Sequence, residues 1–201
     1  VQEDRCGRAR EVAAEIAFAL EREAMVDVLL DLHARGEIPE RITHNDTKLN
    51  NVLIDDRTGA GVCVIDLDTV MPGLALYDFG DLVRSATNSA AEDERDLARV
   101  TARLDIFDAL AEGYLAAAGG FLNPVEIAHL AFSGRLITFE IGLRFLTDHL
   151  EGDTYFRIHR PGHNLDRART QFALVRSLEA QRAEMEALVQ KHRSEERRVG
   201  K

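Results

Sequence analysis

Apolar residues recur every three or four positions through residues 9–35, at Val12, Ile16, Leu20, Met25, Val28, Leu29 and Leu32, ahead of Gly36 and Pro39. That spacing lays one apolar stripe along a helix, so it predicts a single long amphipathic helix ending near Gly36. The period then changes. Residues 51–54 and 61–65 are short runs rich in valine and isoleucine, and DDRTGAG between them carries turn residues, which predicts a β-hairpin. Cys63, in its second strand, reads as a core position. After Pro72 and Gly73 the helical spacing returns and predicts helices over residues 79–86, 94–118, 124–150 and 168–191. The third has a local start signal, with Asn123 as cap, Pro124 in the first turn and Glu126 placed for a capping box. Its apolar residues, among them Leu136, Phe139, Ile141 and Phe145, surround most of its circumference, so it reads as central and buried. The closing SEERRVGK departs from the helical pattern. Residues 193–201 therefore read as a disordered or extraneous tail behind one folded unit over residues 1–192.

Composition narrows the class. A chain of 201 residues with 45% apolar and 30% charged side chains has the profile of a soluble globular protein. A net charge of -10 and a pI near 5.2 argue against nucleic acid or an anionic membrane as partner. Basic residues concentrate locally only at the C-terminus, from Lys191 onward. Cys6 and Cys63 lack the close pairing of a metal or redox motif, no run of 18 apolar residues occurs, and the N-terminal stretch has no secretion-signal pattern. Together these predict a cytoplasmic location.

The chemistry concentrates in ITHNDTKLNNVLIDDRTGAGVCVIDLD, residues 42–68. His-x-Asp is followed by Asn five residues after the aspartate and by Asp fifteen residues further on, at the end of the second hairpin strand. This order matches a kinase-like catalytic loop and metal-binding loop. Asp46 is the candidate catalytic base and substrate contact, because a hydroxyl attacking phosphate needs a carboxylate to orient it and take its proton. Asn51 and Asp66 are hard oxygen donors suited to Mg2+, and Asp68 is placed as a further metal contact or an ion-pair partner. Lys48, two residues past Asp46, is within reach of the same phosphoryl group as a catalytic and cofactor-binding cation. His44 reads as structural support.

Other features carry weaker signals. Asp78-Phe79-Gly80 spells a kinase metal triplet but lies thirty-two residues past Asp46, beyond a strand whose end already offers Asp66. Asp78 reads instead as a helix cap bracing the catalytic loop from behind. Glu140, Arg144 and Asp148 form a charged stripe at four-residue spacing, either a solvated ion-paired row or, through Arg144, the wall of a polar pocket. Tyr155 suits a sugar contact or a core position equally. His159 and His163 are separated by Pro161 and Gly162, which removes the helical presentation that a zinc-type pair requires.

The segments THNDTKLNNVLID, VIDLDTVMPG, YDFGDLVR, RFLTDHLEGDTYF and HNLDRARTQFAL resemble the aminoglycoside phosphotransferase and choline kinase-like superfamily, and within it the N-acetylhexosamine 1-kinases. The resemblance covers roughly residues 40–180. It implies an α+β, mostly helical fold, the C-terminal lobe of a protein-kinase-like architecture with a short β-hairpin at the active site. It further implies transfer of the ATP γ-phosphate to the anomeric hydroxyl of an N-acetylhexosamine, with Mg2+ and ATP as cofactor and co-substrate. Asp46 would be the base, Asn51 and Asp66 the magnesium ligands, and Arg144 and Tyr155 sugar contacts.

Kinases of this class also carry an N-terminal lobe with a phosphate-covering strand pair and a phosphate-gripping lysine. Residues 1–40 hold no glycine-rich strand pair and no lysine. The chain therefore reads as a C-lobe whose N-lobe is missing and which is inactive alone. Competing readings are a catalytically silent kinase-like binding module, an aminoglycoside- or choline-type small-molecule kinase, and a metal-dependent hydrolase using His44, Asp46, Asp66 and Asp68.

Overall fold

A computed structural model of the chain describes residues 4–199, with side chains through residue 194. In order, it forms α1 (Ala13–Leu20), α2 (Val28–Ala34), β1 (Arg41–Thr43), β2 (Val52–Ile54), β3 (Gly61–Val64), β4 (Met71–Gly73) and α3 (Ala75–Thr87). The remaining elements are α4 (Leu104–Ala118), α5 (Pro124–Ala128), α6 (Leu130–Leu150), α7 (His163–Ala180) and α8 (Arg182–Val199). The fold is mostly helical with a small antiparallel β component, as the composition of its segments predicts. No helix among the described residues is long and apolar enough to cross a membrane.

The first predicted helix is broken in two, with a 3-10 turn at Glu23–Met25 between the pieces. Arg22 accounts for the break. Its guanidinium lies 3.6 Å from the centre of the Phe18 ring and donates to the Phe18 carbonyl, closing α1. It also forms a two-point contact with Glu179 on α7. The predicted stripe fails at the same place, because Phe18 is buried while Leu20 is exposed.

Two two-stranded antiparallel sheets form: β1 pairs with β4, Thr43 opposite Met71, and β2 pairs with β3, Val52 opposite Val64. The predicted hairpin is present, but both of its faces are open. All four residues of β3 are exposed, so Cys63 is a surface thiol rather than a core residue. Nothing in the described chain packs over the hairpin, and burial needs a partner as well as an apolar strand.

The core lies between helices. Phe79 on α3, Phe107 on α4, Phe139 on α6 and Phe172 on α7 are all buried. The α3–α6 contact is close because both helices carry glycine there. A Cβ on Gly80 would fall 2.6 Å from the Ser133 carbonyl oxygen, and one on Gly134 would fall 2.6 Å from Val83. The Asp-Phe-Gly triplet is thus a helix-packing feature: Phe79 fills the core and Gly80 admits α6. The predicted helix over 94–118 begins only at Leu104, after an irregular loop that holds a 3-10 turn at Leu97–Arg99 and is closed by a β-bridge between Asn88 and Ala102. The capping box at Asn123 and Glu126 forms as its residues predict, although the helix it starts turns at His129 before α6 continues. Helix α7 begins at His163, five residues ahead of the predicted position, and α8 continues through Val199, past the point where the pattern places a tail. Residues 200 and 201 of that expected tail lie outside the described residues.

Candidate functional site

The segment between β1 and β2 is held in place by one carboxylate. Asp78, in the first turn of α3, accepts the His44 backbone N–H at 2.8 Å and the Asn45 N–H at 2.7 Å, while its own carbonyl accepts the Thr47 hydroxyl. These bonds tether the loop to α3, but Asp78 is not the predicted helix cap, since the cap position is Leu74. Asn45 adopts a left-handed backbone, φ 63°, which asparagine tolerates better than most residues. Its side chain bridges Thr43 and the Thr69 carbonyl. His44 places Nε2 3.0 Å from the Ile65 carbonyl oxygen, and its own carbonyl accepts the Thr69 hydroxyl. A carbonyl only accepts, so Nε2 carries the proton, and Nδ1 is buried without a partner. These bonds tie His44 to the hairpin end and to Thr69.

On this platform sits Asp46. Its Oδ2 accepts Lys48 Nζ at 2.7 Å and Asn51 Nδ2 at 2.9 Å, and Asn51 Nδ2 also donates to the Asp46 carbonyl at 2.8 Å. Oδ1 receives no hydrogen bond from any described residue. Partial burial pushes the Asp46 carboxyl upward. The bonds from Lys48 and Asn51, with the Lys48 charge, outweigh burial and hold it below its ordinary value. The group is therefore a carboxylate at neutral pH with one oxygen free to accept a proton.

The backbone brings the second acidic segment to the same place. Val52 pairs with Val64, Ile65 N–H donates to the Asn51 carbonyl at 2.9 Å, and Asp66 follows in a left-handed turn, φ 62°. The hairpin's open end thus carries Asn51 on one strand and Asp66 on the other. Asn51 is 5% exposed and, with its amide nitrogen committed to Asp46, its Oδ1 accepts nothing from the described residues. Asp66 and Asp68 are exposed, and neither carboxylate forms a hydrogen bond or ion pair with any described residue. An amide oxygen with uncommitted carboxylates is a hard-oxygen donor set of the kind that suits Mg2+, which keeps waters and phosphate oxygens as its other ligands. Among the described residues no three His, Cys, Asp or Glu side chains gather as a metal cluster. The four-ligand hydrolase arrangement is therefore not present, and His44 is committed elsewhere.

Asp46 and Lys48 line a cleft of roughly 640 Å³. Its far wall comes from α6, α7 and the segment between them, including Arg144, Phe145, Phe156, Arg157, Arg167 and Gln171. Five cationic side chains, Lys48, Arg84, Arg144, Arg157 and Arg167, face two carboxylates, Asp46 and Glu92, along this cleft. The fold therefore gathers into one place a positive field that the linear sequence shows only at its C-terminus. In a chain of net charge -10 such a cleft favours anionic ligands.

The charged stripe on α6 divides. Arg144 is exposed and reaches the Tyr155 hydroxyl at 3.4 Å, with its guanidinium 5.5 Å from the Phe156 ring centre. Tyr155 itself is largely exposed and is not part of the cleft lining, so it meets the cleft only through Arg144. Asp148 is buried and is neither solvated nor ion-paired in a row with Arg144. It accepts the N–H groups of Thr154, Tyr155 and Phe156 and the Asn164 amide. Sequence reasoning missed this organising role, as well as the cleft residues Arg84, Arg157, Arg167 and Gln171. The signal for Asp148 was its place at a helix end ahead of Gly152-Asp153-Thr154, where the turning backbone leaves N–H groups that need an acceptor. His163 Nε2 contacts Asp93 at 3.1 Å and its Nδ1 accepts the His159 N–H.

A protein-family model described as the phosphotransferase enzyme family matches residues 1–122. The matched stretch contains the loop bearing Asp46, the hairpin, α3 and α4.

Proposed function

The chain belongs to the phosphotransferase enzyme family, and we propose that it serves transfer of the ATP γ-phosphoryl group to the anomeric hydroxyl of an N-acetylhexosamine, giving the sugar 1-phosphate. The family supports the phosphoryl transfer, and the resemblance of its motifs to N-acetylhexosamine 1-kinases supports the acceptor. One arrangement carries the reading: the Asp46 carboxylate, its Oδ2 fixed by Lys48 and Asn51 and its Oδ1 free, at the mouth of a cationic cleft. In this reading the acceptor hydroxyl gives its proton to Asp46 as its oxygen bonds to the γ-phosphorus, and the bond to the bridging oxygen of ADP breaks. Lys48 and the cleft arginines offset charge on the transferred oxygens. Asn51 Oδ1, Asp66 and Asp68 would hold Mg2+, whose chemistry is to neutralise phosphate charge. Arg144, with Tyr155 behind it, would bound the acceptor.

The apolar face of the β segments supports a second part of the proposal. Ile42 on β1, Val62 on β3 and Leu67 beyond its end are 74%, 66% and 59% exposed, large apolar side chains left uncovered on the β segments. We place there an N-terminal lobe from a longer protein, which would cover the nucleotide. Without it, residues 1–201 are expected to turn over sugars poorly.

Phosphorus NMR of the full-length protein with ATP and a panel of hexosamines, aminoglycosides and choline tests the reading. An anomeric phosphate signal that disappears in Asp46→Asn is expected. Phosphorylation of choline or an aminoglycoside alone would replace the sugar acceptor, and biological function undisturbed by Asp46→Asn would favour a silent binding module.

A further inference from the structure

Gln171, in the middle of α7, is 1% exposed, and its Oε1 is buried without a hydrogen-bond partner. Its Nε2 has no partner among the described residues either, so turning the amide over leaves the same deficit. Other buried polar side chains of this helix are satisfied: Asn164 bonds Asp148 and Asp153, and Thr170 bonds the Glu94 carbonyl. Buried amides rarely go unpaired without a reason, because desolvation is then uncompensated.

The exception lies in the cleft. Gln171 contributes to the same lining as Asp46 and Arg144. One helical turn earlier, on the same face, Arg167 also lines it, and its Nε is buried without a hydrogen bond, 3.6 Å from Glu92 Oε2. The position is rigid. A Cβ on Gly142 of α6 would come within 2.7 Å of the Phe172 ring and 3.1 Å of Gln171 Cβ, so α6 and α7 touch at this level. One side of the cleft thus offers an unpaired amide, that of Gln171, one helical turn from a guanidinium, that of Arg167, whose Nε–H is ion-paired with Glu92 but makes no hydrogen bond.

We propose that Gln171 and Arg167 form the recognition point for the acceptor molecule, the unpaired Gln171 amide pairing with a ring hydroxyl or acetamido group while the Arg167 guanidinium donates to the neighbouring ring substituent. This rests on the sugar-kinase reading above and adds a specificity residue to it. A phosphate group offers only acceptors and can meet only the Nε2 end of the amide, whereas a sugar hydroxyl both donates and accepts and can meet either end, so the subsite suits the hydroxylated partner better than the nucleotide phosphates. Phe145 and Phe156 supply the apolar surface against which a ring face can pack.

Gln171→Met keeps the side-chain volume and removes both polar ends, and the full-length protein is the material to use. The expected result is an acceptor KM raised about 10- to 100-fold with the ATP KM unchanged. Saturation-transfer NMR should show weakened N-acetylglucosamine binding in the same variant. The melting temperature of the free protein is expected to hold or to rise by about 2–4 °C, since an unpaired amide is replaced by an apolar group. A lowered melting temperature with an unchanged acceptor KM would make Gln171 a packing residue and overturn the proposal. Wild-type protein that binds the sugar through Gln171 without phosphorylating it would leave the subsite standing and remove the kinase reading. Wild-type turnover indifferent to Gln171→Met would do the reverse, and no sugar binding at all would end both.

Discussion

Asn51 commits its side-chain amide to a single residue, donating to the Asp46 carbonyl at 2.8 Å and to Asp46 Oδ2 at 2.9 Å. The bond to Oδ2 favours the ionised carboxyl, so its loss raises the pKa of Asp46. Asn51→Asp keeps an oxygen for a cation but sets a second carboxylate against the first, which raises that pKa further. The acid limb of kcat/KM against pH should move to higher pH in Asn51→Ala and further in Asn51→Asp. Asp46→Asn should lose about 10²- to 10⁴-fold in kcat. An acid limb unmoved in both Asn51 variants would mean that Asp46 is not the titrating base.

Asp78 holds two consecutive backbone N–H groups, those of His44 and Asn45, and does not itself line the cleft. Hydrogen bonds to a charged acceptor contribute about 1.5–3 kcal/mol each. Asp78→Ala is expected to lower the melting temperature by on the order of 10 °C, given two such bonds and roughly 2–4 °C per kcal/mol for a chain of this size. Hydrogen exchange should quicken at the His44 and Asn45 amides before it does in α6. Exchange unchanged at those amides would show that the loop is held by other bonds.

How much of this was legible in the sequence depended on how local its cause was. The capping box at Asn123 and Glu126 and the hairpin turn around Asp55 and Gly59 are decided by neighbours along the chain, and both formed as read. Asp46 and Asn51, five residues apart, meet for the same reason. Burial was misread where it depends on distant partners. Cys63 sits in a strand that reads as core but has no cover, and Asp148 sits in a row that reads as solvated but closes a turn. The break in the first helix follows from Glu179, more than 150 residues away, which no spacing rule near Arg22 can reveal. The cationic cleft is the extreme case, since its arginines are scattered over α3, α6, α7 and the segment between the last two.

Two glycine-to-alanine changes should act in opposite directions. At Gly80 the new methyl would lie 2.5 Å from Ile137 Cγ1 and 2.6 Å from the Ser133 carbonyl oxygen, and a backbone atom cannot swing aside. Overpacking of this kind costs about 1–3 kcal/mol. Gly113, on the exposed face of α4, has nothing within 4 Å of the added carbon. There alanine should stabilise by about 0.5–1 kcal/mol through backbone entropy. Chemical denaturation of the two variants in parallel checks both, and a stabilised Gly80→Ala would show that α3 and α6 are not in the close contact described.

Stability should also fall in mild acid, for a reason located at the junction of α6 and α7. Burial pushes His149 below the ordinary histidine pKa, and the Arg8 charge adds to this against the opposing pull of Asp153. Burial likewise lowers His163, reinforced by Arg167 and Arg160 against Asp93. Because each folded-state pKa lies below its unfolded value, the unfolded chain takes up protons first as pH drops below about 6.5. The stabilisation is therefore complete above that pH and declines as pH falls toward the folded-state values. His149 has the stronger claim, since its Nε2 is buried without a partner and protonation would leave a buried N–H there with no acceptor. The denaturation midpoint is expected to decrease from pH 7.5 to pH 5.5, and His149→Gln, which cannot titrate, should flatten that dependence. An equally steep decline in His149→Gln would assign the acid sensitivity to other groups.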